Sequence, residues 1–92
     1  MFYGAWIARA SDGTFVAELP DFPEITAVGV NQKRAAALAS IRLSAHVTAL
    51  RQRGAALPEA TGAAELLDGC IQRHGVAQFL EVREPGSRNI RG

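Results

Sequence analysis

The 92-residue sequence has little cysteine, little histidine and almost no net charge: one Cys, two His and a charge of +1. The single Cys70 excludes an intramolecular disulfide and favours a reducing compartment. No apolar run approaches the roughly 20 residues that span a bilayer. The N-terminus also lacks the basic-then-apolar order of a signal peptide. We therefore expect a cytoplasmic protein without a membrane segment.

The sequence also lacks the motifs of common catalytic and metal sites. No Cys and His spacing is typical of zinc, and no phosphate loop, dinucleotide fingerprint or nucleophile elbow is present. The early carboxylates are Asp12, Glu18, Asp21 and Glu24. A metal-dependent nuclease requires carboxylates from several helices or strands that meet at one site. The positions of these four residues do not predict such a site. We expect no catalytic residue, no metal, no cofactor and no enzyme activity, and a packed or interface role for His46.

Charge is unevenly distributed along the chain. Residues 1–30 carry four acids and one base, whereas residues 31–54 carry five bases and no acid. The contrast fits either a solvated polar face or a basic docking face for an acidic or phosphate-bearing partner. Because the whole chain is nearly neutral, we expect at most weak, salt-sensitive nucleic-acid binding.

What the sequence does contain is the pattern of one small α+β domain. The predicted strands are 2–9, 14–19, 25–30 and 76–83, and the predicted helices are 31–53 and 63–73. Asp12-Gly13 predicts a hairpin between the first two strands. Asn31 is the predicted N-cap of the long helix and Gly54 its stop.

The order β-β-β-α-α-β predicts a two-layer sandwich. A right-handed crossover would place the last strand beside the first, in spatial order 3-2-1-4 with the last pair parallel. We expect a single domain over residues 1–86, followed by a frayed tail at 87–92.

The stretch Leu19–Ala39 organises this domain. The prolines of Pro20-Asp21-Phe22-Pro23-Glu24 predict a rigid turn, with Phe22 tucked into the edge of the core. Gly29 predicts either a special backbone angle or a close approach. Small residues at every fourth position of the long helix, such as Ala35 and Ala39, let that helix lie close to a sheet.

Two surfaces are too apolar for a monomer of this size. The first strand is apolar on both faces, and the long helix is apolar over more than the roughly 100° stripe that one sheet covers. Trp6 fits either ordinary packing on the second face or a partner surface. We expect a homodimer or higher oligomer, with the last strand at a sheet edge. The predicted interface residues are Trp6, Ile41, Ala45 and Leu80.

A series of residues resembles the HicB antitoxin family in order and spacing. The matching residues are Tyr3, Ala5, Ile7, Asp12-Gly13, Phe15-Val16-Ala17, Leu19-Pro20-Asp21-Phe22-Pro23, Gly29, Ala35, Ala39, Leu43, and Leu57-Pro58 after Gly54. The resemblance implies a partial RNase-H-like domain without nuclease activity. It also implies a partner, a small HicA toxin that cleaves mRNA, which the antitoxin binds and blocks.

The chain departs from that family at three places. It ends at Gly92, which leaves no room for the C-terminal DNA-binding module of many members. Arg34 stands at a usually acidic position, and Glu24 stands where a Gly-Cys pair is common. We therefore expect no dedicated DNA-binding module in this sequence.

The expected function is antitoxin-like sequestration of a HicA-type toxin by steric occlusion. The predicted toxin-binding residues are Asp21, Phe22, Pro23 and Glu24, because acidic groups would complement a basic ribonuclease. The alternative is a stand-alone homo-oligomeric regulator or scaffold without a toxin partner. A metal-dependent nuclease is a third class, considered because of the RNase-H-like topology.

Overall fold

The structure is a computed structural model that describes residues 1–83 of the chain. Its elements are β1 (Phe2–Arg9), β2 (Phe15–Glu18), β3 (Thr26–Gly29), α1 (Gln32–Gln52), α2 (Ala63–Gln72) and β4 (Val76–Glu81). The four strands form one sheet in the order β3-β2-β1-β4. The predicted α+β class, element order and strand order are confirmed. The predicted domain end at residue 86 and the tail at 87–92 lie outside the described residues.

Strand β4 pairs with β1 in the antiparallel sense, so the predicted parallel pair was wrong. Phe2 lies opposite Glu81, and Ile7 lies opposite Val76. One crossover helix would return the chain to the end of the sheet where β3 begins, and β4 would then run parallel to β1. Because two helices intervene, the chain passes along the sheet once more and β4 enters from the other end. All three strand pairs are consequently antiparallel.

The two helices lie on opposite faces of the sheet. Tyr3 and Ile7 are buried on the side that α1 covers. On the other side, a Cβ added to Gly4 would lie 2.6 Å from Leu66 of α2, and Trp6 Nε1 donates to Leu66 O at 2.7 Å. The predicted two layers therefore describe the sheet and α1, and α2 adds a partial third layer. Neither helix in the described range is long and apolar enough to cross a membrane.

The hydrophobic core lies between the sheet and α1. The fully buried residues of α1 that reach the sheet are Ala35, Ala39, Leu43 and Val47. A Cβ at Gly29 would overlap the backbone of Ala35, because the first turn of α1 crosses directly over the end of β3. The backbone of Gly29 is not in the left-handed region. A close approach, one of the two predicted explanations, thus accounts for this glycine.

The ends of α1 form as predicted. Asn31 Oδ1 accepts a hydrogen bond from Arg34 N at 2.8 Å, which satisfies one free N–H of the first turn. Gly54 takes a left-handed backbone with φ of 70°, and Ala55 N donates back to Leu50 O at 2.9 Å. These local caps fix where the long helix starts and stops.

The predicted hairpin turn at Asp12-Gly13 is also present. Gly13 has a φ of 91°, and Asp12 Oδ1 accepts hydrogen bonds from Thr14 Oγ1 at 2.6 Å and Thr14 N at 3.0 Å. The hydroxyl of Thr14, followed by its backbone N–H, holds the pKa of Asp12 below the ordinary value of 3.8. The role of Asp12 is thus to stabilise its own turn.

Candidate protein-binding surface

The turn after β2 is held mainly by contacts within the chain. Phe22 is 2% exposed. Its ring packs edge-on against Tyr3 at 4.8 Å and against His46 at 5.4 Å between ring centroids. A side chain enclosed in this way has no surface to offer a partner. This placement confirms the predicted core position of Phe22 and disfavours its predicted toxin contact, which stays a prediction.

The two acids of the same turn have different environments. Asp21 Oδ2 accepts from Thr61 N at 2.9 Å and Oδ1 accepts from Thr61 Oγ1 at 2.7 Å, so this carboxylate anchors the connection between the helices. Glu24 Oε2 lies 2.7 Å from His46 Nε2, and the Glu24 side chain is half-exposed. Pro23 is exposed. Of the four predicted residues, Pro23 and Glu24 are therefore the ones that face solvent.

The exposed side of the turn borders a shallow groove on the face of the sheet that carries α2. Two adjoining depressions share the same central side chains and together form this groove. We call it the Trp6 groove, defined by Trp6, Val16, Glu18, Pro20, Pro23 and Arg73. It brings together one predicted interface residue and one predicted toxin-binding residue that are distant in sequence.

The groove exists because the third layer covers only half of the sheet. Within the described residues, α2 contacts β1 and β4 but neither β2 nor β3. The α2-side face of β2 and β3 is therefore open, and Val28 on it is 51% exposed. Uncovered apolar side chains on a regular surface of this kind are typical of interaction sites.

Trp6 is fixed in the wall of the groove by α2. Its ring lies under the Arg73 guanidinium, whose central carbon is 3.7 Å from the ring centroid. Arg73 Nε also lies 3.3 Å from Glu18 Oε1. A Cβ at Gly69 would overlap the indole, so this glycine lets α2 pass directly over Trp6. The structure thus accounts for Trp6 by packing within the chain, and its role in an oligomer stays a prediction.

Sequence reasoning missed Arg73, which is the cation of this groove. Its partners, Trp6 and Glu18, are on strands more than fifty residues earlier in the chain. No local pattern distinguishes Arg73 from the other arginines. Only the pairing of β4 with β1, which fixes the position of α2 over β1, brings it to the indole.

The two sides of the sheet differ in charge. The segment 31–54, which contains α1, carries five bases and no acid. Helix α2 carries Glu65 and Asp68 and no base, and Glu18 lies in the groove beside it. The α2 side thus offers the carboxylates of Glu18, Glu65 and Asp68 to a basic partner, whereas the helix α1 itself contains none.

The predicted oligomer residues fall in different environments. Ile41 is 67% exposed and lines a depression together with Val28 and Val30, and Ala45 is exposed on α1. Leu80 is only 3% exposed, because β4 alternates and this position lies opposite Tyr3 under α1. The buried Leu80 side chain offers little surface to a second copy, whereas Ile41 and Ala45 are accessible; the interface roles of all three residues stay predictions.

The described residues contain no group of three or more His, Cys, Asp or Glu side chains that could hold a metal ion. Cys70 is buried, and its thiol donates to Gly75 O at 2.7 Å.

Comparison with known proteins identifies the fold. No protein-family model matches the sequence, and no curated protein matches it significantly. Several solved structures do match. The N-terminal domain of Burkholderia pseudomallei antitoxin HicB superposes with a TM-score of 0.78 at 17% identity, over 90% of this chain and 99% of that chain.

Two solved complexes show the same likeness. A chain of the HicA3 and HicB3 toxin–antitoxin complex matches with a TM-score of 0.68 at 22% identity, over 90% of this chain and 99% of that chain. A chain of a toxin–antitoxin complex from Streptococcus pneumoniae matches with a TM-score of 0.76 at 17% identity, over 100% of this chain and 78% of that chain. The domain is thus of a class that occurs in toxin–antitoxin structures. More narrowly, its fold is HicB-like.

Proposed function

We propose that this chain is an antitoxin-like protein that binds a small HicA-type ribonuclease toxin and blocks it sterically. The proposal is supported by the HicB-like fold, since solved complexes with that fold contain a toxin and an antitoxin. The observation that supports a particular toxin-binding surface is the half-covered sheet, on which Val28 is exposed beside the Trp6 groove.

The groove has the chemistry that such a partner requires. A toxin element lying over β2 and β3 would bury Val16 and Val28 and would complete the third layer that α2 begins. Glu18 lines the groove, whereas Glu24 follows the groove residue Pro23 and is paired with His46 of α1; both carboxylate side chains are more than half exposed. Their present partners, Arg73 and His46, hold them in surface ion pairs, which contribute little. Basic side chains of a ribonuclease can therefore replace those partners at low cost.

The test is toxin binding by variants on the two faces of the molecule. Val28→Lys places a cation on the open half of the sheet, and Glu18→Lys reverses the charge of the groove. Both positions are exposed, so the fold should be retained. Titration calorimetry with a purified HicA-type toxin should show binding weakened by about tenfold or more.

The matched control is Ala45→Lys, which adds the same charge at an exposed apolar residue of α1 that does not line the depression next to Val28. It should bind the toxin as the unmodified chain does. Loss of binding in Ala45→Lys with full binding in Val28→Lys would move the toxin to α1. Absence of any binding by the unmodified chain to the toxin encoded beside it would overturn the proposed function.

A second candidate function is a homo-oligomeric regulator or scaffold without a toxin. The exposed outer face of α1, with Ile41 and Ala45, favours this reading. It predicts assembly of the chain alone and no ribonuclease gene beside its own. A neighbouring small basic reading frame whose product binds the chain would decide for the antitoxin.

A further inference from the structure

The Trp6 groove already holds an arginine of the chain itself. The central carbon of the Arg73 guanidinium lies 3.7 Å from the centroid of the Trp6 ring, and Arg73 Nε donates to Glu18 Oε1 at 3.3 Å. An aromatic face and a carboxylate are the two groups to which a guanidinium binds most favourably. Trp6 and Glu18 therefore form a guanidinium site, and Arg73 occupies it in the free chain.

The indole and the carboxylate are positioned independently of Arg73. Trp6 and Glu18 lie directly opposite each other on β1 and β2, so both side chains lie on the same face of the sheet. Trp6 Nε1 also donates to Leu66 O at 2.7 Å, which fixes the ring against α2. The site is thus built from the sheet and stays in place when Arg73 leaves it.

Arg73 is held in the site only loosely. Among the described residues, one hydrogen bond joins its side chain to Glu18, and this bond uses Nε. The bond from Arg73 Nη1 to Gly69 O is long, at 3.4 Å. The side chains of Arg73 and Glu18 are 39% and 53% exposed, and exposed ion pairs contribute little to stability. A second arginine that approaches from solvent can therefore compete for the same two groups.

The groove has room for a second arginine once Arg73 moves aside. Trp6, Glu18 and Arg73 line both depressions of the groove, so the Arg73–Glu18 pair divides it into two parts. Without that pair, the two parts join over the indole, and the apolar walls can contact the methylene stem of an incoming side chain. Arg73 is the C-cap of α2, and the helix dipole favours a cation at that end after displacement.

We propose that the Trp6 groove binds an arginine side chain of the basic partner, which takes the place of Arg73 between Trp6 and Glu18. Arg73 is then a competitor within the chain that fills the site until the partner binds. The identity of the partner as the toxin rests on the proposed function. The arginine site itself can be tested without any toxin.

The geometry favours arginine over lysine. A planar guanidinium can stack on the indole while its edge donates to Glu18, whereas a compact ammonium cannot make both contacts in this way. Arg9 is the other cation that lines the groove, but its Nη2 lies at the hairpin turn, 3.8 Å from where a Cβ on Gly13 would be. Removing Arg9 therefore changes the charge of the groove without uncovering the indole, which makes Arg9→Ala the matched control for Arg73→Ala.

Tryptophan fluorescence tests the arginine site directly, because Trp6 is the single tryptophan of the chain. N-acetyl-arginine amide should cause a saturable change in the emission of Arg73→Ala. The unmodified chain and Arg9→Ala should need about threefold to tenfold more ligand, because Arg73 must first leave the site. The corresponding lysine amide should bind Arg73→Ala more weakly than the arginine amide. Adding Glu18→Gln to Arg73→Ala should weaken binding of the arginine amide by about tenfold.

Toxin binding tests the role of Arg73 as a competitor. In titration calorimetry with a purified HicA-type toxin, Arg73→Ala should bind about threefold to tenfold more tightly than the unmodified chain. Arg9→Ala should change the affinity clearly less. A measurement on the unmodified chain does not depend on the folding of any variant. The NMR signal of the Arg73 Nε–H is displaced by the indole ring current in the free chain, and it should move to the position of a solvated arginine when the toxin binds.

Three results would overturn the proposal, with circular dichroism used to verify that each variant is folded. They are an Arg73→Ala that binds the arginine amide no better than the unmodified chain, equal tightening of toxin binding by Arg73→Ala and Arg9→Ala, and an Arg73 Nε–H signal that the bound toxin leaves unchanged. A different result separates this proposal from the proposed function. If Arg73→Ala binds the arginine amide but no variant binds the toxin, the arginine site is supported and the proposed function fails.

Discussion

At the scale of single residues, Tyr3 links the sheet to the connection between the helices. Its hydroxyl donates to Pro58 O at 2.7 Å. Burial raises the pKa of Tyr3 above its ordinary value of 10.0, the negative charge of Asp21 raises it further, and Arg51 lowers it in part. The neutral hydroxyl is therefore the form that the folded state stabilises.

Tyr3 should make the protein sensitive to alkali. Because its pKa is higher in the folded state, its contribution is fully present below the unfolded-state pKa, 10.0, and is lost as pH rises through the folded-state value. Urea unfolding at a series of pH values should show stability falling above pH 10.0. In Tyr3→Phe the fall should be smaller, and stability near neutral pH should be lower by about 1 kcal/mol. An identical alkaline fall in both proteins would contradict this assignment.

Asp21 should contribute to stability through Thr61. Asp21→Ala removes both hydrogen bonds and leaves the Thr61 N–H without its partner, so we expect a loss of about 1–3 kcal/mol in the free energy of unfolding. Glu24→Ala is the control, since its ion pair is half-exposed and should cost no more than about 1 kcal/mol. Equal losses in the two variants would show that the hydrogen bonds from Thr61 contribute no more to stability than the half-exposed ion pair of Glu24.

The difference between local and distant partners decides which residue roles were predictable. Asn31 and Gly54 bond within a few residues of themselves, and both were predicted correctly from the sequence. Asp21 meets Thr61 forty residues away, and Arg73 meets Trp6 at an even larger distance along the chain. Those contacts form only in the assembled fold. The sequence therefore predicts a carboxylate in a turn at Asp21, but it predicts neither the partner of Asp21 nor the partner of Arg73.

At the scale of elements, the crossing of α1 over β3 depends on a missing side chain. Gly29→Ala would drive a Cβ into the backbone of Ala35, which cannot move without displacing the first turn of α1. We expect a loss of about 1–3 kcal/mol in chemical denaturation. Gly62→Ala, at a helix start where nothing lies within 4 Å of the added Cβ, should change stability little. An unchanged free energy of unfolding in Gly29→Ala would mean that α1 does not cross closely over β3.

The elements were predictable in order but not in direction. Periodicity indicates six segments, and the preference for right-handed crossovers correctly predicts β4 beside β1. The direction of β4 depends on the number of passes along the sheet between β3 and β4, and counting the two helices as one pass predicts the wrong direction. Periodicity also could not assign α2 to a face, since that depends on Gly4 and Gly69 making room for Leu66 and Trp6.

At the scale of the whole molecule, we expect no nuclease activity. The described residues hold no cluster of metal-binding side chains, and Asp21 is engaged by Thr61. Fluorescent RNA and DNA should stay intact with Mg²⁺ or Mn²⁺ over hours. Cleavage that disappears in Asp21→Ala would contradict this prediction.

Nucleic-acid binding should be weak and should vanish with salt. The bases of the segment 31–54 do not form one surface, since Arg42 bonds the β3 edge and Lys33 lies toward β4. Fluorescence anisotropy with duplex DNA should show binding at low salt that is lost at physiological salt. Sequence-specific binding that survives physiological salt would contradict this expectation.

The pairing of β1 with β4 also has a consequence for synthesis on the ribosome. Strand β1 is made first and lies between β2 and β4, yet β4 is the last element of the described chain to be made. The central strand therefore stays half-paired, and Tyr3 lacks its neighbour Leu80, until nearly the whole described chain has emerged. Pairing between such distant segments is slow to form. A nascent chain stalled before residue 76 would be expected to expose the central edge of its sheet to chaperones and proteases.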